Sequence, residues 1–150
     1  LILDLDETKI NSVYEHILTI SFDEVDKIVN SGKKLSLDNE ELYLVRSFYE
    51  HAIEKWSNSM IDGAKQLIFV LSNIITDELL EKSLAIHLIV IAKGLSLDDF
   101  YEKHVDINAV PSEEKYSYFI DTFNFNIDEF INENKDILEL EYKNLKHLLD

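Results

Sequence analysis

A chain of 150 residues with 46 % hydrophobic positions, including 8 Phe and 7 Tyr, is the size of one domain and carries enough apolar side chain to bury a core, which excludes a disordered polymer. It has no cysteine, so disulfides, thiol nucleophiles and thiolate metal sites are excluded and an intracellular, cytoplasmic setting is expected. The formal charge of −16, from 30 acidic and 14 basic residues, repels phosphates and anionic lipid while attracting cationic partners, so direct binding to nucleic acid or membrane is not expected.

The chain opens on Leu1 rather than Met, without a basic segment followed by an apolar run; this leaves the true N-terminus, and a cleaved leader, open. The most apolar stretch, Leu84 to Ala92, is interrupted by His87 and falls far short of the roughly 20 residues that a membrane helix needs. With 3 Gly and 1 Pro, the chain has few of the turn residues that a strand-rich fold of this size uses. Helix starts are plentiful instead, and the expected helices in chain order lie near 5–19, 22–31, 37–57, 60–74, 77–93, 97–104, 112–124, 127–134 and 136–149. The fold class is all-α, a single domain over 1–150 built as a bundle of about eight or nine helices, with stacked helical hairpins as one arrangement.

The first of these helices rests on Ile10, Val13, Tyr14, Ile17 and Leu18, spaced i, i+3, i+4, i+7, i+8. Ser21-Phe-Asp-Glu24 caps the second, and Gly32 ends it. Ser36 caps the third, whose stripe is Leu42, Val45, Tyr49, Ala52, Ile53 and Trp56. Ser59-Met-Ile-Asp62 and Thr76 open the next two, and Gly94 closes the latter. Gln66 to Ile75 and Ile86 to Ile91 are rich in β-branched residues and could be buried strands. A central helical hairpin apolar nearly all round accounts for them as well, and no turn chemistry brackets them as strands, so helices are preferred. Ser96-Leu-Asp-Asp99 caps the sixth helix. Ser112 opens a seventh, striped by Tyr116, Phe119, Ile120 and Phe123; Asn126-Ile-Asp-Glu129 caps the eighth; Leu138, Tyr142, Leu145, Leu148 and Leu149 stripe the last. Leu35-Ser-Leu-Asp38 recurs as Leu95-Ser-Leu-Asp98, through either a duplicated unit or a shared capping solution.

Two strings point to enzyme chemistry. Leu1-Ile-Leu-Asp4-Leu-Asp6-Glu-Thr8 resembles the first motif of haloacid-dehalogenase-type phosphatases, in which an apolar strand delivers a nucleophilic Asp and a second Asp, two residues on, acts as acid/base. On that resemblance Asp4 and Asp6 hold those roles, Ser72 stands for the second motif's Ser, Lys93 for the charge-balancing Lys, and Asp98-Asp99 for the late metal-binding pair. Lys9 departs from the family's apolar position, Lys93 lies only five residues before Asp98, and the glycines of the late loop are absent. Arg46-Ser-Phe-Tyr-Glu-His51 matches the R-x4-H spacing of HEPN-type ribonucleases, which implies an Arg46 that steadies phosphate and a His51 that moves a proton. Here Ser47 stands where that family has a polar Asn, Asp or His, and residues five apart on a helix point about 140° away from each other.

No metal or cofactor is expected. There is no Glu-x-x-His pair, no His-Glu-x-x-His, and no glycine pair at nucleotide-loop spacing; Asp98, Asp99, Glu102 and His104 spread over more than one helix face. Many carboxylates fall in predicted first turns, where the helix dipole favours them: Asp23, Glu24, Asp38, Glu40, Asp77, Glu78, Asp98, Asp99, Glu113, Glu114, Asp128 and Glu129. Capping accounts for their positions but not for the scarcity of basic residues. The excess peaks toward the C-terminal end, where Asp121, Asp128, Glu129, Glu133, Asp136, Glu139, Glu141 and Asp150 face three lysines and are mixed with Phe123, Phe125, Phe130 and Tyr142. Carboxylates that steer and rings that anchor suit an interface for a basic protein. The expected partner-binding set is Asp121, Asp128, Glu129, Glu133, Asp136, Glu139, Glu141, Phe125 and Tyr142.

In size, acidity and helical character the chain resembles small bacterial immunity proteins, which neutralise a cognate toxin, often a cationic nuclease, and its richness in Lys, Ile and Asn suits an AT-rich bacterial genome. The resemblance implies an acidic face that covers the toxin's basic active-site cleft, and a protein that is not an enzyme. A phage-type inhibitor or nucleic-acid mimic, a helical scaffold module, and an enzyme built on Asp4/Asp6 or Arg46/His51 are the other classes in view.

Overall fold

The computed structural model describes residues 34–37, 39–111, 113–116 and 118–149. The helices expected over 5–19 and 22–31, the Asp4/Asp6 string and Gly32 lie outside the described residues. Six α-helices are present among those described: α1 (Asn39–Ser57), α2 (Ile61–Ile74), α3 (Glu78–Ala92), α4 (Leu97–Lys103), α5 (Ile127–Glu133) and α6 (Lys135–Leu145). Short 3₁₀ turns occupy Glu114–Tyr116 and Lys146–Leu149. The described part is all-α. None of its helices is long and apolar enough to cross a membrane.

The three-residue connections Asn58–Met60 and Ile75–Asp77 fold α1, α2 and α3 onto one another in turn. Both β-branched stretches are helical, within α2 as far as Ile74 and within α3, because burial overrides the strand propensity of single residues, while Ile75 beyond α2 is extended. The reason is clearest in α3, where every residue from Ser83 to Ile91 is buried. It packs against α2 on one side and against α5 and α6 on another, so an all-round apolar surface is what its position requires.

Helix ends follow capping chemistry, with three departures from expectation. Ser96 accepts the Asp99 N–H at 3.1 Å and Asn126 accepts the Glu129 N–H at 3.0 Å, as N-caps of α4 and α5. The cap of α3 is Asp77, whose Oδ1 accepts from Leu80 N at 2.9 Å; Thr76, the expected cap, instead donates to the Leu35 carbonyl through its hydroxyl. Ser36 donates its hydroxyl to Glu41 Oε2 at 2.9 Å, and so holds the first turn of α1 by side chain alone. Ser59 does not cap α2, which starts from Met60 without a side-chain cap. It closes α1, with φ +62, while Ser59 N–H reaches the Trp56 carbonyl and Met60 N–H the Lys55 carbonyl. Gly94, at φ +87, closes α3 by the same pair of bonds, Gly94 N to Ile91 O and Leu95 N to Val90 O. A serine in the left-handed region costs what glycine does not. Ser59→Gly is therefore expected to stabilise the fold by about 0.5–1 kcal/mol, read as a rise in the urea midpoint at unchanged slope; an unchanged or lower midpoint contradicts it.

The repeated Leu-Ser-Leu-Asp string serves two different ends. Leu35 pairs with Ile75 in an isolated parallel β-bridge, whereas Leu95 lies in the α3–α4 connection and accepts the Trp56 indole N–H at 3.0 Å.

Among the described residues of 112–124, the expected α-helix is not formed. After the turn at Glu114–Tyr116 the chain runs irregularly, bridges antiparallel from Phe123 to Val105, and exchanges backbone bonds with Asp106 and His104. Tyr116, Phe119 and Ile120 are nonetheless buried. Their spacing reflected burial, which a turn supplies as well as a helix does, in a segment of Ser, Thr, Asn and aromatic residues with weak helix propensity. The Ile120 N–H is taken by the Tyr49 hydroxyl at 3.2 Å.

That bond belongs to a buried polar chain. His87 Nδ1 lies 2.6 Å from the Ser83 carbonyl, which can only accept, so Nδ1 carries the proton and Nε2 receives the Tyr49 hydroxyl at 2.7 Å. His87 and Tyr49 are buried, and the chain ties α1, α3 and the 118–124 segment together. Beside it, the Phe100 ring meets Trp56 and His87, both at 5.3 Å, and seats the short α4 on the core.

Candidate partner-binding groove

The acidic C-terminal helices are positioned by Asn134, which is buried and serves both as C-cap of α5 and as N-cap of α6. Its Nδ2 donates to the Phe130 carbonyl at 2.8 Å, and its Oδ1 accepts from Lys93 at 3.0 Å. The amide thus ties the end of α5 to Lys93 at the end of α3, while α6 starts from the Asn134 carbonyl, which accepts the Leu138 N–H at 3.1 Å. Behind α5, the Phe123, Phe125 and Phe130 rings stack in sequence, at 5.2 Å and then 4.2 Å between centroids. The His104 ring leans on Phe125 and Phe130.

This arrangement leaves a groove of about 430 Å³ between α3, α5 and α6. Ala85, Ile131, Leu138 and Tyr142 form its apolar part; Glu78, Glu81, Lys82 and Asp128 supply its charge. Lys82 bridges the two walls, 3.0 Å from Asp128 Oδ1 and 3.5 Å from Glu78 Oε1. Asp128 and then Glu78 hold its ammonium above the ordinary lysine range. Glu81 has no ion pair among the described residues, and its charge, after burial, raises the Tyr142 hydroxyl. The Tyr142 ring packs 5.6 Å from Phe69 and stays 36 % exposed. Three carboxylates against one ammonium leave the groove acidic over an apolar floor, an arrangement that accommodates a cation with an apolar stem.

The expected partner-binding residues separate into distinct environments. Asp128 and Tyr142 line the groove. Glu129, Glu133, Asp136 and Glu139 are exposed on α5 and α6. Glu141 is paired with Lys65 at 2.9 Å and is mostly covered. Phe125 is half-buried within the ring stack. Asp121 is buried, 7 % exposed, so it cannot form part of an outer face. Burial first, and Asp77 after it, push its carboxyl up. The irregular path of 118–124 turns it inward, where a helix was expected to leave it outside.

Sequence reasoning missed Glu78, Glu81, Lys82 and Ala85, because Glu78 was assigned to capping alone. The available signal was their i, i+3, i+4, i+7 spacing, which places all four on one face of α3.

Ser72 lies on α2 with its hydroxyl donating to the Phe69 carbonyl at 2.7 Å, so it does not end a strand as the phosphatase pattern needs. Lys93 is engaged with Asn134, and Asp98 and Asp99 form the first turn of α4. The Arg46 guanidinium sits over the Tyr43 and Tyr118 rings, at 5.9 and 5.3 Å. His51, five residues on along α1, is lowered by burial and by Lys55, and the helix directs the two side chains to different neighbours. Among the described residues, no group of three or more His, Cys, Asp and Glu could hold a metal ion. Comparison with protein-family models, curated proteins and solved structures finds no match to the chain.

Proposed function

We propose that this chain is a binding protein for a basic protein partner, which docks on the groove between α3, α5 and α6. The observation that carries this reading is the groove itself: Glu78, Glu81 and Asp128 around the floor of Ala85, Ile131, Leu138 and Tyr142, on a chain of net charge −16. Long-range charge speeds the encounter and the apolar floor holds the docked partner. The exposed acids of α5 and α6, Glu129, Glu133, Asp136 and Glu139, extend the negative surface beyond the groove. In overall character the protein resembles immunity proteins; on that reading the partner is a cationic toxin, expectedly a nuclease, whose substrate cleft is covered by the acidic face.

The test is capture from a lysate of the source organism at low salt, elution with rising salt, and assay of the captured protein with and without stoichiometric chain. The expected result is a basic protein whose activity the chain abolishes and whose affinity falls about two- to fivefold with Asp128→Asn. Failure to retain any basic protein at low salt overturns the reading.

A further inference from the structure

Among the described residues Lys82 is the one cation that lines the groove. Its ammonium spans from α3 to Asp128 on α5, yet both carboxylates it contacts are largely exposed, Glu78 at 83 % and Asp128 at 74 %. Such a solvated pair is weakly held and readily exchanged. Glu81, one residue before it, holds no cation among the described residues and lines the same groove as Tyr142. The floor between them is apolar: Ala85 is 6 % and Leu138 9 % exposed, with Ile131 half-buried beside them.

A small metal ion has no use for this floor, and an aliphatic side chain leaves the carboxylates unanswered. A long side chain with an apolar stem and a cationic head answers both. Its stem lies along Ala85, Ile131 and Leu138, and its head meets Glu81 and Asp128 beside the Tyr142 ring. We infer that the groove receives one lysine or arginine side chain from the basic partner, and that Lys82 is the internal cation it displaces from Asp128. The inference rests on the binding reading above and adds the occupant and the competitor.

The test uses the whole chain and a capped hexapeptide with one lysine among alanines, beside the same peptide with norleucine, which keeps the stem without the charge. Binding is followed by amide shifts in solution NMR. The lysine peptide is expected to move the amides of Ala85, Ile131, Leu138 and Tyr142 saturably, and the norleucine peptide to bind several-fold more weakly. Lys82→Gln is expected to tighten the lysine peptide about two- to fivefold, and Glu81→Gln to weaken it by a similar factor. Lys143→Gln, an exposed change of the same charge on α6 outside the groove lining, is expected to leave affinity nearly unchanged. Equal binding of the norleucine peptide, no gain from Lys82→Gln, or an equal gain from Lys143→Gln overturns the inference. If a basic partner is captured and inhibited while Glu81→Gln and Lys82→Gln bind it as the parent does, the insertion is wrong and the binding function stands. If no basic partner binds at low salt, the binding function fails with it.

Discussion

Phe100→Ala is expected to lower the unfolding free energy by about 3–5 kcal/mol, the range for a fully buried aromatic truncated in a core that cannot collapse around the gap. Phe100 is 0 % exposed. Its ring contacts Trp56 from α1, His87 from α3 and Phe123 from the segment that leads into α5. Removing it therefore opens a cavity shared by three elements, with a rigid polar chain on one side. Trp56, the only tryptophan, is buried at 2 % exposure and reports the loss directly through its fluorescence in urea. A second effect follows from the ring stack: Phe123 is the link between Phe100 and Phe125, so amide exchange in α5 is expected to quicken in the variant. A destabilisation below about 1 kcal/mol contradicts the packing, since it would place Phe100 at a site that collapses freely or is not buried.

Stability is expected to fall as pH drops from about 7 to 5, with His87 as the main source. Burial lowers His87 to about 4, against the Ser83 hydrogen bond, which raises it. The folded protein thus holds His87 neutral at pH values where the unfolded chain takes up a proton below its ordinary value of 6.5. Between those two values the unfolded state binds more protons, so stability rises with pH and is lost as pH falls. The slope is about 1.4 kcal/mol per pH unit, or about 3 kcal/mol over the full window. His51 and His104 are lowered too, chiefly by burial, and act with the same sign. Asp121 acts with the opposite sign in a lower range. Its carboxyl is raised in the fold, so its contribution is present below the ordinary aspartate value and is lost as pH rises through the folded one. Urea midpoints across this range, together with ring-carbon NMR titration of His87 in the native protein, check the prediction. Titration of His87 near its ordinary value, or a flat stability profile above about pH 5, contradicts it.

Much of the helical framework was legible in the sequence because helix signals are local. Capping at Ser96 and Asn126 depends on residues three apart, and the stop at Gly94 on one backbone conformation that glycine adopts freely. The apolar run of α3 was legible as buried, and helix was preferred over strand because no turn chemistry brackets it. Ser59 was misplaced because a serine reads as an N-cap, whereas the helix before it needed a left-handed residue there. Asp77 took the cap of α3 from Thr76 one position away, which spacing alone does not decide.

The segment 113–124 marks where local reading stops. Tyr116, Phe119, Ile120 and Phe123 have helical spacing, but burial creates that pattern whether the backbone is helical or turned. The outcome depended on Tyr49, far away in sequence, accepting the Ile120 N–H. The same non-local choice buried Asp121, which composition had placed on an outer acidic face. The groove is likewise a product of assembly. Asp128 and Tyr142 were visible as an acid and a ring in an acidic stretch, while Glu81 and Ala85 lie some fifty residues earlier and join them only because α3 is clasped by α5 and α6.

By itself the sequence determined the all-α class of the described part, a strongly negative net charge, and an apolar run that had to be buried, since these follow from composition and short-range periodicity. Only the tertiary structure decided which carboxylates face a shared groove, which are buried or paired, and which cation already sits among them. Those outcomes depend on contacts between residues far apart in the chain, and local spacing carries no record of them.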